Sequence, residues 1–214
     1  MLELNHLMPI PLRDRLSKKE SSVWNNQLIF NLEEWIKITA PSGTGKTTLM
    51  NMLYGIRMDY DGAIILDGIN IKNISVEQLA SIHQSKMSVI FQDLRLFSNL
   101  SAYENINLKR VLQTPYYKAE KINYMAEMLG ISNILSQKAG ICSYGEQQRI
   151  VIIRALMQPF SWLLMDEPFS HLDNNNKAIA AKLIAQECKK RKAALIITDL
   201  DDDDLFTYSR KLVL

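Results

Sequence analysis

Residues 40–48, APSGTGKTT, are of the types that hold phosphate. They approximate the pattern Gly-x-x-x-x-Gly-Lys-Ser/Thr, with Ala40 at the first glycine and Gly45, Lys46 and Thr47 in register. The candidate phosphate-contacting set runs Ser42, Gly43, Thr44, Gly45, Lys46, Thr47 and Thr48. Small residues let successive backbone N–H groups turn onto phosphate oxygens, and a following helix adds its positive end. Lys46 carries charge to the β and γ phosphates, and the Thr47 hydroxyl can hold Mg²⁺. Downstream, WLLMDEP delivers Asp166 as a carboxylate able to hold Mg²⁺ through water, followed by Glu167, placed to polarise an attacking water. Gln92 ends another apolar run and offers an amide oxygen to the same cation. Ser143 and Gly145, ahead of a helix expected over 147–157, combine a hydroxyl, a bare backbone and a helix N-terminus into a second anion-binding arrangement, or into an ordinary N-cap.

These residues need elements that bring them together. Trp35, Ile36, Ile38 and Ala40 lead as a strand into the loop, and Leu49, Met50 and Leu53 follow at helical spacing. Met87 to Phe91, Ser161 to Met165 and Ala193 to Ile197 are further apolar runs that end in polar residues. Runs such as SWLLM and AALIIT barely alternate, as strands covered on both faces do, so a parallel core sheet is predicted. Ligands of such sheets sit outside the carboxyl ends of the strands, which predicts that the polar terminations converge on one crevice. MLELNHL, QLIFNL, and AIIL joined to INI across Asp67 and Gly68 predict an antiparallel N-terminal layer. Ile122, Met125 and Leu129, closed by Gly130, mark a helical region. The fold class is therefore α/β, with a mainly parallel core sheet, an antiparallel N-terminal β layer and an inserted helical subdomain at about 93–146 within one domain over 1–214.

Composition narrows the classes. The chain has 214 residues, 47% hydrophobic and 22% charged, which excludes wholesale disorder. A net charge of +2 gives no footprint for nucleic acid, and no nucleic-acid partner is expected. No run approaches the roughly 18 apolar residues of a membrane-spanning helix, and the first residues lack the features of a secretory signal. Cys142 and Cys188 are read as free thiols. The tract Asp201 to Asp204 reads as a solvated acidic turn.

ICSYGEQQRIVIIRAL, just before WLLMDEPFSHLD, resembles the Leu-Ser-Gly-Gly-Gln signature of ATP-binding cassette ATPases, and the order of motifs matches across nearly the whole chain. FQDLRLFSNLSAYENI is most similar to the lipoprotein-release, macrolide-export and cell-division branch. The resemblance implies a P-loop NTPase that binds ATP and Mg²⁺ and drives a separate membrane-spanning subunit from the cytoplasmic face of a membrane. It also implies pairing with a second nucleotide-binding subunit, the signature of one closing the site of the other. Under it Glu167 is the general base, and Thr47, Gln92 and Asp166 form the Mg²⁺ set. Gln92 is also the Q-loop glutamine, Ser143 and Gly145 contact the partner's γ-phosphate, and Asp173 is the D-loop aspartate.

Three positions depart from that pattern. Asp199 stands where the family places a histidine donor to the γ-phosphate, and the loss of one such donor costs about 2.7 to 4 kcal/mol. Tyr144 replaces a signature glycine. Residues 10–22 contain no aromatic to stack on adenine, with Trp24 a weak substitute. Binding is thus better supported by the residues than fast turnover. The alternatives are a catalytically weak regulatory or scaffold subunit, a small-molecule phosphotransferase, and a cassette ATPase that works without a membrane subunit.

Overall fold

In the computed structural model, which describes residues 1–200, 202 and 204–214, two sheets share the chain. The elements in chain order are β1 (Leu2–Pro9), α1 (Arg13–Leu16), β2 (Gln27–Phe30), β3 (Trp35–Thr39), α2 (Lys46–Leu53), β4 (Tyr60–Leu66), β5 (Ile69–Asn70), α3 (Val76–Ser85), β6 (Met87–Ile90), α4 (Ala102–Val111), α5 (Glu120–Met128), α6 (Tyr144–Met157), β7 (Trp162–Asp166), α7 (Asn174–Arg191), β8 (Ala194–Asp199) and β9 (Arg210–Val213). The N-terminal sheet runs β2-β1-β4-β5 with antiparallel neighbours. Its β4–β5 turn is the expected Asp67–Gly68 pair, with φ of 51° and 83°, the left-handed geometry that matches hairpin twist.

The second sheet runs β6-β7-β8-β3-β9, and every neighbour is parallel. Its strands are buried on both faces, which is why their sequences do not alternate in polarity. Trp35, Leu163, Leu195 and Ile197 point to one face and join a core with α4 to α7. Ile36, Ile38, Leu164 and Ile196 point to the other and pack with α2 and the antiparallel sheet. The register aligns Thr39 with Asp199 and Asp166 with Thr198, so β3, β7 and β8 end at one level. That alignment is what delivers the loop after β3 and the two carboxylates of β7 to a common edge.

Within 93–146, α4 begins with a capping box in which Ser101 and Glu104 satisfy each other's backbone N–H groups. In α5, Ile122 and Met125 are buried, with Leu129 following them into the same core. Helix α6 starts at Tyr144, earlier than the expected Gln147, because Ser143 caps it. Strand β9 was not anticipated: it adds to the β3 edge. Of the acidic tract, Asp202 and Asp204 are exposed and each lies 2.8 Å from Lys211 Nζ, while Asp201 and Asp203 lie outside the described residues. Cys142 and Cys188 are free and buried. Among the described residues no helix is long and apolar enough to cross a membrane.

Candidate active site

The chain leaves β3 at Thr39, turns through Gly43 (φ 76°) and Gly45 (φ 103°), and enters α2 at Lys46. Both glycines occupy the left-handed region that side chains disfavour, and this lets the loop wrap its N–H groups inward. The Thr44 hydroxyl donates to Pro41 O at 2.7 Å, which ties the buried threonine into the loop, and Thr44 does not line the cleft. A cleft of about 320 Å³ opens above, lined by Ser42, Gly43, Gly45, Lys46, Thr47 and Thr48 from the loop and helix. Gln92 and Glu167 complete its wall from β6 and β7. Eight of the predicted residues thus share one crevice.

Their side chains form a closed set of contacts. Lys46 Nζ donates to Ala40 O at 2.7 Å and to Pro41 O at 3.2 Å, and lies 3.3 Å from Glu167 Oε1. Gln92 Nε2 donates to Glu167 Oε2 at 3.0 Å, while Thr47 Oγ1 donates to Gln92 Oε1 at 3.1 Å. Lys46 and Glu167 are both buried, which sharpens their attraction relative to a surface pair. Glu167 holds φ 46°, a sparsely populated conformation for a non-glycine residue that turns its carboxylate back over the loop. Behind it Asp166 is buried, and its Oδ1 accepts from the Thr198 hydroxyl at 2.7 Å. Thr198 went unrecognised in the sequence, where it reads only as a polar strand end. The Asp199 carboxylate accepts from Leu200 N–H at 2.8 Å.

Ser143, Gly145 and Asp173 do not line this cleft. Ser143 caps α6 in a capping box: its hydroxyl accepts from Glu146 N–H at 3.4 Å, and its own N–H donates to Glu146 Oε2 at 2.7 Å. The Ser143 hydroxyl and N–H hold the Glu146 carboxyl below its usual range. Asp173 caps α7, accepting from Asn176 N–H at 2.9 Å and from the Asn176 amide at 2.6 Å. Tyr144 and His171 meet with ring centroids 5.2 Å apart on the wall of a neighbouring cleft that also reaches Gln92. Tyr144 is the first residue of α6 and has no positive φ, so its backbone makes no demand for glycine, and its ring is exposed. Gly145 is the tighter position, since a Cβ there would stand 3.0 Å from His171 O and the neighbouring backbone would have to give way. Trp24 is buried, and its ring edge lies 3.1 Å from where a Gly45 Cβ would be, so it underlies the loop and offers no face to a base.

A family model described as ABC transporter matches residues 24–170. The chain belongs to the ABC transporter ATP-binding family. It is an ABC-type ATPase, as the members of that family are, and it binds ATP. The ABC transporter ATP-binding protein YxdL of Bacillus subtilis is 32% identical over 192 residues, 87% of this chain and 74% of that one. The lipoprotein-releasing system ATP-binding protein LolD 2 of Chlorobaculum tepidum is 31% identical over 186 residues, 84% and 75% of the two chains. The thiamine import ATP-binding protein ThiQ of Escherichia coli is 31% identical over 173 residues, 80% and 72%. The dimeric structure of MJ0796, a bacterial ABC transporter cassette, superposes with a TM-score of 0.81 at 22% identity over 94% of this ABC chain and 88% of that one, an agreement of fold.

Proposed function

We propose that this ABC ATPase binds Mg-ATP in the 320 Å³ cleft, closes on a second nucleotide-binding subunit, and transmits that closure to a membrane-spanning subunit at the cytoplasmic face. The observation that carries the reading is the contact chain Lys46–Glu167–Gln92–Thr47, which joins the phosphate loop to two strand ends in a single polar network. Lys46 and the loop N–H groups hold the phosphates and take up the charge that grows on them during transfer. Glu167 removes a proton from the attacking water as its oxygen bonds to the γ-phosphorus and the bond to the bridging oxygen breaks. The donors Thr47 Oγ1, Gln92 Oε1 and Asp166 are all oxygen, a set suited to Mg²⁺, which keeps several waters and takes few protein ligands. When bound, the ion neutralises charge between the β and γ phosphates. Ser143 and Asp173 on cap positions and Gly145 in the first turn of α6, all off the cleft, are assigned to the site of the partner subunit.

A groove of about 410 Å³ next to the site supports the membrane-subunit reading. Phe91 forms part of its wall and is followed in the chain by Gln92. Phe97 and Leu112 expose apolar surface at its rim, and Lys109 and Arg154 add positive charge. Of the LRLF segment, Leu94 is buried and Phe97 exposed, so one residue serves the core and the other the groove. An apolar segment carrying an acidic residue matches this surface.

A second reading, a binding-only regulatory subunit, is favoured by Asp199. Phosphate release from Mg-ATP by wild type, Glu167→Gln and Asp199→His, with Lys46→Ala as blank, separates the two. Release by wild type that falls on the order of 10² to 10⁴ in Glu167→Gln fits the ATPase reading. Equal release by wild type and Glu167→Gln, on protein shown to bind ATP, rejects it. Release confined to Asp199→His favours the regulatory reading.

A further inference from the structure

The polar stretch after β1 reads as a linker in sequence, yet it supplies two walls of the cleft, Leu12 and Arg15. Its course is fixed on both sides of Arg15. Ile10 N–H donates to Asp59 O at 3.0 Å, Arg13 pairs with Asp61 of β4, and Leu16 is buried in the N-terminal core. Arg15, between these anchors, is exposed and extends over the phosphate loop. A Cβ placed on Gly43 would stand 2.9 Å from its Nη2 and 3.8 Å from its Nη1 and Cζ. The guanidinium therefore lies against the loop backbone at Gly43 and lines the same cleft as Lys46. Among the described residues lining the cleft none is aromatic, and Leu12 is the apolar side chain there.

We propose that Arg15 is a triphosphate-binding residue and that this cleft recognises nucleoside triphosphates through their phosphates, with little discrimination between bases. The proposal rests on the reading of the cleft as a nucleotide site. A guanidinium presents several donors in a planar fork that fits two phosphate oxygens at once, which a lysine ammonium does not. The fork adds a second positive charge to that of Lys46 in the lining of one cleft. Selection by base requires either stacking or hydrogen bonds to ring edges; no aromatic ring among the described lining residues offers the first, and the Arg15 fork is committed to the phosphates.

Calorimetric titration of Mg-ATP, Mg-GTP and Mg-tripolyphosphate into wild type, Arg15→Ala, Arg15→Lys and Lys46→Ala tests this, with thermal melting of each protein as a control. Wild type is expected to bind the two nucleotides within about threefold of each other, which is what the loss of a single weak contact allows. Arg15→Ala is expected to weaken all three ligands by a similar factor, between about tenfold and a hundredfold, and Arg15→Lys to recover part of it. Unchanged binding in Arg15→Ala, with binding abolished in Lys46→Ala, overturns the proposal and leaves the nucleotide site standing. A loss for ATP that spares tripolyphosphate overturns it as well, because Arg15 would then act on the base. If neither nucleotide binds wild type, the site reading itself falls and takes this proposal with it. Because Arg15 is exposed, its substitution leaves the melting temperature unchanged; a drop matched by equal loss of all ligands in Arg15→Lys would mark a structural role and overturn it too.

Discussion

Lys46 and Glu167 neutralise each other, but they do so unequally, and stability shows it. Lys46 keeps Ala40 O and Pro41 O as acceptors if the carboxylate is removed, whereas Glu167 without Lys46 retains only the Gln92 amide among the contacts described here. Removing one member of a buried pair strands the other charge, at about 3 to 5 kcal/mol for a fully buried case. In nucleotide-free protein, Lys46→Ala is therefore expected to cost about 3 kcal/mol in urea unfolding. Glu167→Gln should cost about 1 to 2 kcal/mol, the scale of one charge-assisted hydrogen bond. The reverse order would mean that the loop carbonyls do not carry the lysine. Under the roles proposed for the pair, incoming phosphate competes with Glu167 for the Lys46 ammonium, and the carboxylate then becomes available to water.

Helix caps show how one local device serves two purposes. Ser75, Ser101 and Ser143 each form a capping box with Gln78, Glu104 and Glu146, on α3, α4 and α6. Each cap is worth about 1 kcal/mol. Ser101→Ala and Ser143→Ala are expected to lower stability by that same amount in chemical denaturation, while only Ser143→Ala weakens ATP-dependent dimerisation in sedimentation. Equal dimerisation in the two variants would leave Ser143 as a cap alone. A further element-scale prediction concerns α3 against α2. His83 stacks on Tyr54 at 3.9 Å, and its Nε2 lies 2.7 Å from Tyr54 O. Burial, helped by the nearby Lys109, pulls its imidazole below the ordinary 6.5, against the hydrogen bond to Tyr54 O. The unfolded chain then takes up the proton more readily, so stability falls as pH drops through about 6.5 and levels off below the folded value. His83→Gln should flatten that part of a pH-dependent melting curve; an unchanged slope would assign it to other groups.

The same elements show what a sequence reveals at this length scale. Strand, loop and helix around Lys46 were legible because a doubly covered strand, a glycine turn and a 3.6-residue apolar repeat are each local patterns. So was the convergence of the polar ends of β3, β6 and β7 on one cleft, which follows from parallel register, whereas Thr198 and Asp199 at the end of β8 do not line it. Arg15 was not legible, since RDRLSKKESS has no periodicity and its placement depends on Arg13 meeting Asp61 and Leu16 reaching the core. Strand β9 escaped because RKLV is short and alternates only weakly, and its partner β3 is remote in sequence. The placement of Trp24 was likewise tertiary: an aromatic near the first hairpin is equally suited to the surface or to the core beneath Gly45.

For the molecule as a whole, the question is how a change at the nucleotide reaches another protein. The polar network ends at Gln92, and the adjacent Phe91 is already part of the groove wall, so one peptide unit separates the proposed cation site from the groove. Arg154 braces this region from α6, donating to Arg95 O at 2.7 Å and Leu94 O at 2.6 Å, and burial draws its guanidinium down to about 10. The groove therefore has a rigid, positively charged floor and an exposed apolar rim at Phe97. Phe97→Ala removes rim surface without touching the network and is expected to leave melting within about 0.5 kcal/mol of wild type and ATP binding intact. Lys109→Glu reverses charge on the groove wall and should likewise spare ATP binding, because Lys109 does not line the proposed nucleotide cleft. Each variant is expected to reduce the fraction of the chain that sediments with membranes by tenfold or so, the scale of a buried aromatic anchor or a reversed contact charge. Membrane association that survives both changes would move the contact elsewhere on the surface, and with it the route by which closure at Gln92 leaves the molecule.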